Sequence, residues 1–344
     1  KGITLQAAAS AALHFDGEGD YVAVNDLKNY INSDFTIEFW MNMDDYDENP
    51  YIFSVNGPTG SNRLLLGINK TSTPSKYYPV LYLYYPSENI NTNSHNDSEI
   101  LLNEWNHLVL TRSGDKYSIY LNSSLVGELN ANSSRSFDTD SRISLGQEFD
   151  DGLDISNEFY GKLDELSFWS KALTQEEIES QMFQTLDGTE DGLVAYYNFN
   201  DGVPGSDNSA NTTLTDIAGS ADGTLNNFGL GSGTTSTWVA HPFPEASLES
   251  GYTKMPVALW KEIGTNETRS SNGLTMSVGT TLTEANYANF ASNSNTGTTT
   301  TEVPLTDKTR SQRIWYVNET GVVTATVKIG VASATGQAAS VYKN

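Results

Sequence analysis

Cysteine is absent from this chain, and histidine and positive charge are scarce. The 344 residues include no Cys, 4 His, and 19 Lys plus Arg against 43 Asp plus Glu, for a formal net charge of -24. No disulfide can form, and because no histidine has a close histidine partner in the sequence, a transition-metal site is not expected. The acidic excess disfavours nucleic acid and anionic membranes as partners, and it favours divalent cations.

Long apolar runs are also missing. No stretch of about 18 apolar residues occurs, so no membrane-spanning helix is expected. Lys1–Ala12 is rich in alanine but lacks a cationic region followed by a long apolar core, which favours a first strand or a linker over a signal remnant. A hydrophobic content of 37% is enough for a folded core. The excess of Asn, Thr, Ser and Gly is typical of a secreted or cell-surface bacterial protein.

Strand-like alternation dominates what is present. Every second residue is apolar in Phe35–Met41 and again in Leu193–Phe199. This period of two predicts antiparallel strands with one buried face. The run Thr174–Glu177 is a capping box, which predicts one helix that extends to about Phe183. We therefore predict an all-β sandwich of two antiparallel sheets over about Ala12–Val239.

A proline-containing stretch without periodicity predicts a domain boundary. Pro242–Ser250 contains two prolines and small polar residues. We therefore expect a first domain over residues 1–241, a linker over 242–250 and a second, smaller β domain over 251–344. The strand candidates of the second domain are Val257–Trp260, Leu274–Val278, Arg313–Val317 and Val322–Val331.

The stretch Arg142–Leu173 carries the sharpest motif. It reads RISLGQEFDDGLDISNEFYGKLDELSFWSKAL, an acidic loop between two strand-like runs. The loop resembles the calcium loop of pentraxins, and the run from Gly161 through the helix start resembles the wider laminin G-like family. Leu13–Val22 and Trp105–Thr111 resemble further laminin G-like motifs in the same order. The resemblance implies a concanavalin A-like jelly roll for the first domain.

The pentraxin resemblance implies a calcium site in the acidic loop. Ser61 stands where the family has an Asp, so one negative charge is lost and a single ion is implied. Carboxylate, amide and carbonyl oxygens are the ligands that calcium prefers. The alternative is a solvated acidic turn. The implied ligands are the side chains of Asn62, Glu148, Asp150 and Asn157 and the carbonyl of Phe149.

A second calcium site is implied by the laminin G-like resemblance. There the first strand and a late strand bracket a structural ion, and these positions correspond to Asp16, Asp20 and Asp164. Asp164 alternates with apolar residues, and a carboxylate beside an apolar face needs a partner. The alternatives are hydrogen bonds to backbone amides or a salt bridge to Lys162.

The second domain carries a weaker resemblance. Asn272–Ser277, Thr298–Pro304 and Arg310–Val317 resemble an accessory domain of large surface proteins of Bacteroidota. Such proteins often use the type IX secretion route and pair this domain with laminin G-like modules. The resemblance implies a larger multidomain adhesin or assembly, and it supplies no catalytic motif.

No catalytic motif is found in the first domain either. Jelly-roll glucanases carry alternating carboxylates on one strand, and no Glu-x-Asp-x-x-Glu or Glu-x-Asp-x-Glu run occurs. A nucleophile elbow, a P-loop and a dinucleotide fingerprint are also missing from the sequence. We therefore expect no enzyme.

The sequence favours a calcium-assisted recognition or adhesion module that binds carbohydrate or a cell-surface protein. Trp40, Tyr46, Tyr51, Tyr82 and Tyr84 are candidate platforms for sugar rings. For Tyr82 and Tyr84, ordinary cross-strand packing is the favoured alternative. One alternative is a structural spacer in an adhesin or filament. Another, less favoured, is a glycan-active jelly-roll enzyme.

Overall fold

The chain forms two compact units, Lys1–Ile178 with Gln184–Ala246 and Glu179–Phe183 with Ser247–Asn344. The boundary after Ala246 falls in the predicted linker Pro242–Ser250, which itself lies outside the described residues. The computed structural model describes residues 11–46, 49–57, 62–71, 76–85, 88–92, 99–131, 136–150, 154–182 and 186–240 of this chain, together with eight strands of the second unit.

The first unit is built almost entirely from strands, as the alternation predicts. A single turn of 3-10 helix covers Asn25–Asn29. The strands are β1 Ala11–Asp16, β2 Tyr21–Ala23, β3 Phe35–Met43, β4 Tyr51–Asn56, β5 Arg63–Lys70, β6 Tyr77–Tyr85, β7 Glu88–Asn91, β8 Trp105–Ser113, β9 Lys116–Leu121, β10 Ser124–Asn130, β11 Arg142–Leu145, β12 Glu148–Phe149, β13 Ile155–Ser156, β14 Tyr160–Trp169, β15 Leu193–Tyr197, β16 Thr213–Leu214, β17 Gly223–Asn226 and β18 Trp238–Ala240.

Two eight-stranded antiparallel sheets form the sandwich. The first sheet has the order β10-β9-β8-β3-β14-β1-β18, and β15 pairs with the far half of β14. The second sheet has the order β16-β17-β2-β11-β4-β5-β6-β7. A separate two-stranded hairpin, β12 with β13, follows β11. The sequence-based prediction of an antiparallel sandwich is confirmed.

The core lies between the two sheets, and strand alternation fills it. On β3, Phe35, Ile37 and Phe39 are fully buried members of a single hydrophobic cluster. On β6, Leu81 and Leu83 face the same cluster from the second sheet. Because side chains alternate along a strand, the residues between them lie on the outer faces of the sheets. Those outer faces carry polar and aromatic residues.

One α-helix, α1 (Gln175–Gln181), follows β14. The Glu177 backbone N–H donates to Thr174 Oγ1 at 3.2 Å, and the Thr174 N–H donates to a Glu177 carboxylate oxygen at 2.8 Å. These two bonds are the reciprocal pair of a capping box, which confirms that prediction. Ile178 packs under the helix with Trp169. No helix in the described part of the chain has the length and hydrophobicity needed to span a bilayer.

The second unit is described through its strands. They form antiparallel sheets of order β19-β22-β25, β20-β21-β26 and β23-β24. The predicted strand Leu274–Val278 has those bounds in the structure. The resemblance to an accessory domain stays a prediction. The strands are β19 Met255–Leu259, β20 Thr268–Ser271, β21 Leu274–Val278, β22 Tyr287–Ser292, β23 Thr298–Thr299, β24 Arg310–Ser311, β25 Trp315–Thr320 and β26 Ala325–Ile329.

Candidate functional site

A cluster of tyrosines lies on the outer face of the second sheet. Leu81 and Leu83 of β6 face the core, so the alternating Tyr82 and Tyr84 lie on the opposite side. Tyr51 begins β4, which is separated from β6 by β5. We call the surface formed by Tyr51, Tyr82 and Tyr84 the tyrosine face.

The three rings contact one another in defined geometries. Tyr82 and Tyr84 are stacked, with ring centroids 5.9 Å apart and an interplanar angle of 21°. Tyr51 meets Tyr82 edge-on at 6.2 Å and 89°. The Asn69 amide donates to the Tyr82 hydroxyl at 2.7 Å. Tyr51 is 7% exposed, whereas Tyr82 and Tyr84 are half-buried and present ring surface to solvent.

A glycine on the middle strand makes room for Tyr51. Gly67 of β5 pairs with Tyr51 of β4. A Cβ atom at Gly67 would lie 2.5 Å from the Pro50 carbonyl and 2.6 Å from the Tyr51 ring. Any larger residue would therefore displace the ring, so this glycine fixes one edge of the tyrosine face.

The acidic loop lies beside the tyrosine face and is joined to the sheet by an arginine. Nη1 of Arg63, the first residue of β5, is 3.3 Å from Glu148 Oε2 and 3.3 Å from Asp150 Oδ1. The side chains of Arg63 and Glu148 are 15% and 7% exposed, and that of Asp150 is 52% exposed. One guanidinium thus lies between the two carboxylates that the sequence marks as calcium ligands.

The surroundings of Glu148 raise the pKa of its carboxyl group toward neutral pH. Burial raises its pKa from 4.5 to about 7, the Arg63 charge opposes this increase, and the charge of Asp150 adds to it. Burial also raises the pKa of Tyr51, and the charge of Glu148 raises it further. The Glu148 carboxylate is therefore electrostatically coupled to the tyrosine face.

The Phe149 carbonyl and the Asn62 side chain each have another protein partner. The Asn56 amide donates to the Phe149 carbonyl at 3.0 Å. The Asn62 amide donates to Asp138 Oδ2 at 3.1 Å. The Arg63 guanidinium lies between the two acidic side chains.

The fifth implied ligand, Asn157, has a backbone role. It adopts a positive φ of 54°, a conformation that Asn tolerates better than most residues. Its carbonyl accepts the Tyr51 N–H at 2.9 Å, and its amide donates to the Asn49 carbonyl at 3.4 Å. Asn157 therefore holds the loop against the start of β4, close to the tyrosine face.

The arrangement of these residues does not fit a calcium ion. Calcium needs several oxygens within about 2.3–2.6 Å of one point. Among the described residues, no group of three His, Cys, Asp or Glu side chains is arranged to hold a metal. Ser61 and Asp151 lie outside the described residues. The structure brings Glu148 and Asp150 together around the Arg63 guanidinium.

The Asp16–Asp20 turn forms a carboxylate network. Asp20 Oδ2 accepts the Asp16 N–H at 3.0 Å and the Ser236 hydroxyl at 2.6 Å. Asp20 is 2% exposed, and burial raises its pKa from 3.8 to about 6. The hydrogen bond to Ser236 opposes that increase, and the charge of Asp16 adds to it. A calcium ion at this turn stays a prediction.

The strand register separates Asp164 from this turn, which corrects the predicted shared site. Leu13 of β1 pairs with Leu163 of β14 in an antiparallel register, so Asp164 lies four residues from Asp16 along the strand, roughly 13 Å. Asp164 is fully buried, and its Oδ1 accepts the Glu165 N–H at 2.8 Å. Asp164 therefore forms a hydrogen bond with a backbone amide, which is one of the two alternatives to a calcium ion.

Lys162, the salt-bridge partner considered for Asp164, forms an ion pair with Asp44. Lys162 Nζ lies 2.6 Å from Asp44 Oδ1. The ring of His14 contacts the second oxygen of Asp44 at 2.8 Å. Asp44 thus lies between two basic groups at the ends of β1 and β14.

Trp40 lies on the other sheet and is only 5% exposed, so it is not the sugar platform that the sequence suggested. It is in β3 and packs against the ring of His107 at 5.1 Å. A buried carboxylate lies nearby. Glu38 Oε1 accepts the Ser167 hydroxyl at 2.9 Å and the Trp169 indole N–H at 3.0 Å. Trp40 belongs to this buried outer face of the first sheet.

Tyr46 is half-buried and has partners of its own. Its ring lies 5.2 Å from that of Tyr77, and Lys70 Nζ is 5.5 Å and 5.4 Å from the two ring centroids. Of Trp40, Tyr46 and Tyr51, only Tyr51 belongs to the tyrosine face.

Sequence reasoning missed Arg63 and undervalued Tyr82 and Tyr84. The available signal was alternation: Tyr82 and Tyr84 fall on the same side of β6, and Arg63 follows Asn62 at the start of β5. The contact between Arg63 and Glu148 spans 85 positions in the sequence. No local pattern reports such a contact.

Comparison with known proteins gives both a family match and structural likenesses. A laminin G-like family model, described as the concanavalin A-like lectin/glucanases superfamily, matches residues 16–179. No curated protein sequence matches this chain. A candidate carbohydrate-binding protein from Bacteroides ovatus is 22% identical with a TM-score of 0.46, over 64% of this chain and 58% of that one.

Two further solved structures are similar over about half of this chain. A heptameric SAP-like pentraxin from Limulus polyphemus is 19% identical with a TM-score of 0.39, over 50% of this chain and 81% of that one. The CBM40 of the Ruminococcus gnavus IT-sialidase, bound to α2,3-sialyllactose, is 12% identical with a TM-score of 0.39. The match covers 48% of this chain and 93% of that one. The family match covers residues 16–179 of the first unit, and the two antiparallel sheets of that unit form the sandwich that the laminin G-like resemblance implies.

Proposed function

We propose that the first unit is a non-catalytic carbohydrate-recognition module and that its ligand binds on the tyrosine face. The observation that carries this proposal is the stacked, half-buried pair Tyr82 and Tyr84 beside exposed hydrogen-bonding groups. Aromatic rings offer an apolar surface with a polar hydroxyl at its end, which suits the apolar faces and hydroxyl edges of sugars.

The residues around the rings have complementary roles in this proposal. Tyr82 and Tyr84 provide the stacking surface, and Tyr51 supports Tyr82 from the side. The carboxylate of Asp150, which is 52% exposed, accepts hydrogen bonds from ligand hydroxyls. Asn69 fixes the Tyr82 hydroxyl through its 2.7 Å bond and so holds the platform in one orientation.

The position of Arg63 supports a binding role without catalysis. In glycoside hydrolases of the common type, two carboxyl groups flank the bond that is cleaved. Here Glu148 and Asp150 flank the Arg63 guanidinium, with 3.3 Å on each side. A glycosidic bond has no place between them, so the pair serves binding and loop structure.

The proposed setting is the outside of a bacterial cell, in a secreted or surface-attached protein. Support comes from the net charge of -24 and the composition rich in Asn, Thr, Ser and Gly. The second unit of small sheets suits a larger adhesin in which several modules follow one another. The partner is then a glycan or a glycosylated surface protein.

A glycan array tests the proposal. We expect selective binding by the wild-type protein and a loss of at least about tenfold in affinity for Tyr82→Ala and for Tyr84→Ala. Tyr30→Ala is the matched control, because Tyr30 is 39% exposed and lies outside the tyrosine face. Binding that is equally strong in all variants would place the ligand elsewhere. An array without any selective binding would favour the structural-spacer alternative.

A further inference from the structure

We infer that the Arg63 guanidinium takes the place of calcium in the acidic loop, so that the tyrosine face binds uncharged sugar hydroxyls without a divalent ion. The ligand half of this inference rests on the proposed carbohydrate-binding function. The half that concerns the metal rests only on the loop geometry and can be tested alone.

The first argument is position. Arg63 Nη1 is equidistant from Glu148 and Asp150, at 3.3 Å from one oxygen of each. A calcium ion that bridged the same two oxygens would need both at about 2.3–2.6 Å. It would therefore have to expel the guanidinium and draw the two carboxylates together.

The second argument is that two of the other implied calcium ligands form hydrogen bonds with protein groups. The Phe149 carbonyl receives an N–H from Asn56, and the Asn62 amide is directed at Asp138. The loop is thus held by hydrogen bonds and a guanidinium, where the pentraxin resemblance implies a metal.

The third argument concerns the charge that a ligand meets. Two carboxylates share one guanidinium, so the site keeps an excess of negative charge beside the tyrosines. The side chain of Arg63 is only 15% exposed and its Nη1 contacts two carboxylates, whereas the side chain of Asp150 is 52% exposed. A ligand therefore meets an acceptor, which suits neutral hydroxyl donors and disfavours anionic sugars.

Calorimetry with calcium chloride tests the metal half. The variant Arg63→Gln frees the space between the carboxylates, and we expect it to bind one more calcium ion than the wild type. The double variant Arg63→Gln with Asp150→Asn should return to the wild-type stoichiometry. Arg142→Gln is the matched control, because that guanidinium lies 5.5 Å over the Phe149 ring, and it should leave the stoichiometry unchanged. A folded Arg63→Gln that gains no calcium would overturn the inference.

A second measurement covers the case in which Arg63→Gln does not fold. Asp150→Asn and Glu148→Gln are then compared with the wild type, both with Arg63 present. An unchanged calcium stoichiometry supports the inference. A stoichiometry that falls by one in either variant would show that the wild-type loop already binds calcium, and the inference would be wrong.

The ligand half is tested with the glycans that the wild type selects. Their affinities should agree within about twofold in calcium and in chelator, and neutral glycans should be preferred over sialylated or sulfated ones. Affinity that is lost in chelator and restored by calcium would contradict the inference, as would selection of anionic glycans. If no glycan binds, the proposed function fails, and the calcium stoichiometries still decide the role of Arg63.

Discussion

The two outer faces of the sandwich hold buried carboxylates in different ways. On the first sheet, Glu38 Oε1 accepts bonds from Ser167 and Trp169, and burial keeps the neighbouring His107 neutral by lowering its pKa to about 3. Beside the second sheet, in the hairpin of β12 and β13, Glu148 contacts Arg63 at 3.3 Å, and its pKa is raised to about 7.

This difference separates a structural polar network from a candidate binding surface. Glu38 is 4% exposed, and the bonds to its Oε1 come from two uncharged donors. Around Glu148, the neighbouring Asp150 and Tyr84 reach solvent, and the carboxylate sits in an electrostatically unfavourable place. Carboxyl groups whose pKa is shifted by burial and by a neighbouring like charge cluster at functional sites. Substitutions on the first sheet should therefore lower stability most, and substitutions on the tyrosine face should lower glycan affinity most.

Trp169→Ala should have the largest effect on stability. The indole is 2% exposed, packs against Ile178 of α1 and donates to Glu38. Loss of such a side chain typically costs about 3–5 kcal/mol. Urea denaturation measures this cost, and Tyr82→Ala is the control that should lose much less. Equal losses of unfolding free energy in the two variants would contradict the distinction between a structural first face and a binding second face.

The pH dependence of stability should report Glu148. Its pKa in the folded state lies above its usual value of 4.5, so the folded protein holds more protons between pH 4.5 and about 7. The contribution of Glu148 to the free energy of unfolding is therefore fully present below pH 4.5, and it is lost as the pH rises through about 7. The loss amounts to roughly 3 kcal/mol at most.

The variant Glu148→Gln separates this carboxyl from the others. It should flatten the fall in the free energy of unfolding between pH 5 and 8. Asp20 adds a similar decline at lower pH, because its pKa is raised from 3.8 to about 6, and Asp20→Asn should remove that part. Urea denaturation at a series of pH values checks both. A wild type that becomes more stable from pH 5 to 8 would contradict the assignment.

Gly67→Ala should disturb the tyrosine face by displacing Tyr51. The new Cβ would meet the Pro50 carbonyl at 2.5 Å and the Tyr51 ring at 2.6 Å. Overpacking of this kind costs about 1–3 kcal/mol. Gly114→Ala is a control without a steric clash, because nothing lies within 4 Å of its Cβ position. Its φ of +60° adds backbone strain to that variant. Glycan affinity should fall only in Gly67→Ala.

Thr174→Ala should have the smallest effect. Thr174 Oγ1 accepts the Glu177 N–H in the capping box of α1. Removal of an N-cap hydroxyl costs about 1 kcal/mol. Thermal melting measures this loss, and Thr174→Ser should restore most of the stability. Glycan binding should not change, because α1 packs with Trp169 of the first sheet.

Much of the fold was predictable because its causes are local. Alternation of apolar residues depends only on neighbours two positions apart, and the capping box joins Thr174 to Glu177. Both features follow from backbone geometry. The acidic loop was also visible in the sequence, since Glu148 and Asp150 lie close together there.

The site was less predictable because its contacts are distant in sequence. Alternation places both Trp40 and Tyr82 on outer faces of the sheets. In the folded chain Trp40 is buried, whereas Tyr82 is only half-buried, and alternation alone does not predict this difference. The register between β1 and β14 sets the distance between Asp16 and Asp164, and a local motif carries no such information. The arginine that lies between the carboxylates comes from another strand, so a family motif alone suggested calcium there.

Hydroxyl-radical footprinting of the tyrosines, with and without a glycan selected on the array, tests the central claim most directly. The account predicts that ligand protects Tyr82 and Tyr84 from oxidation and leaves Tyr30 and Tyr160 unchanged, which are 39% and 38% exposed. Protection of Tyr30 or Tyr160 with no change at Tyr82 and Tyr84 would contradict the assignment of the tyrosine face as the binding surface.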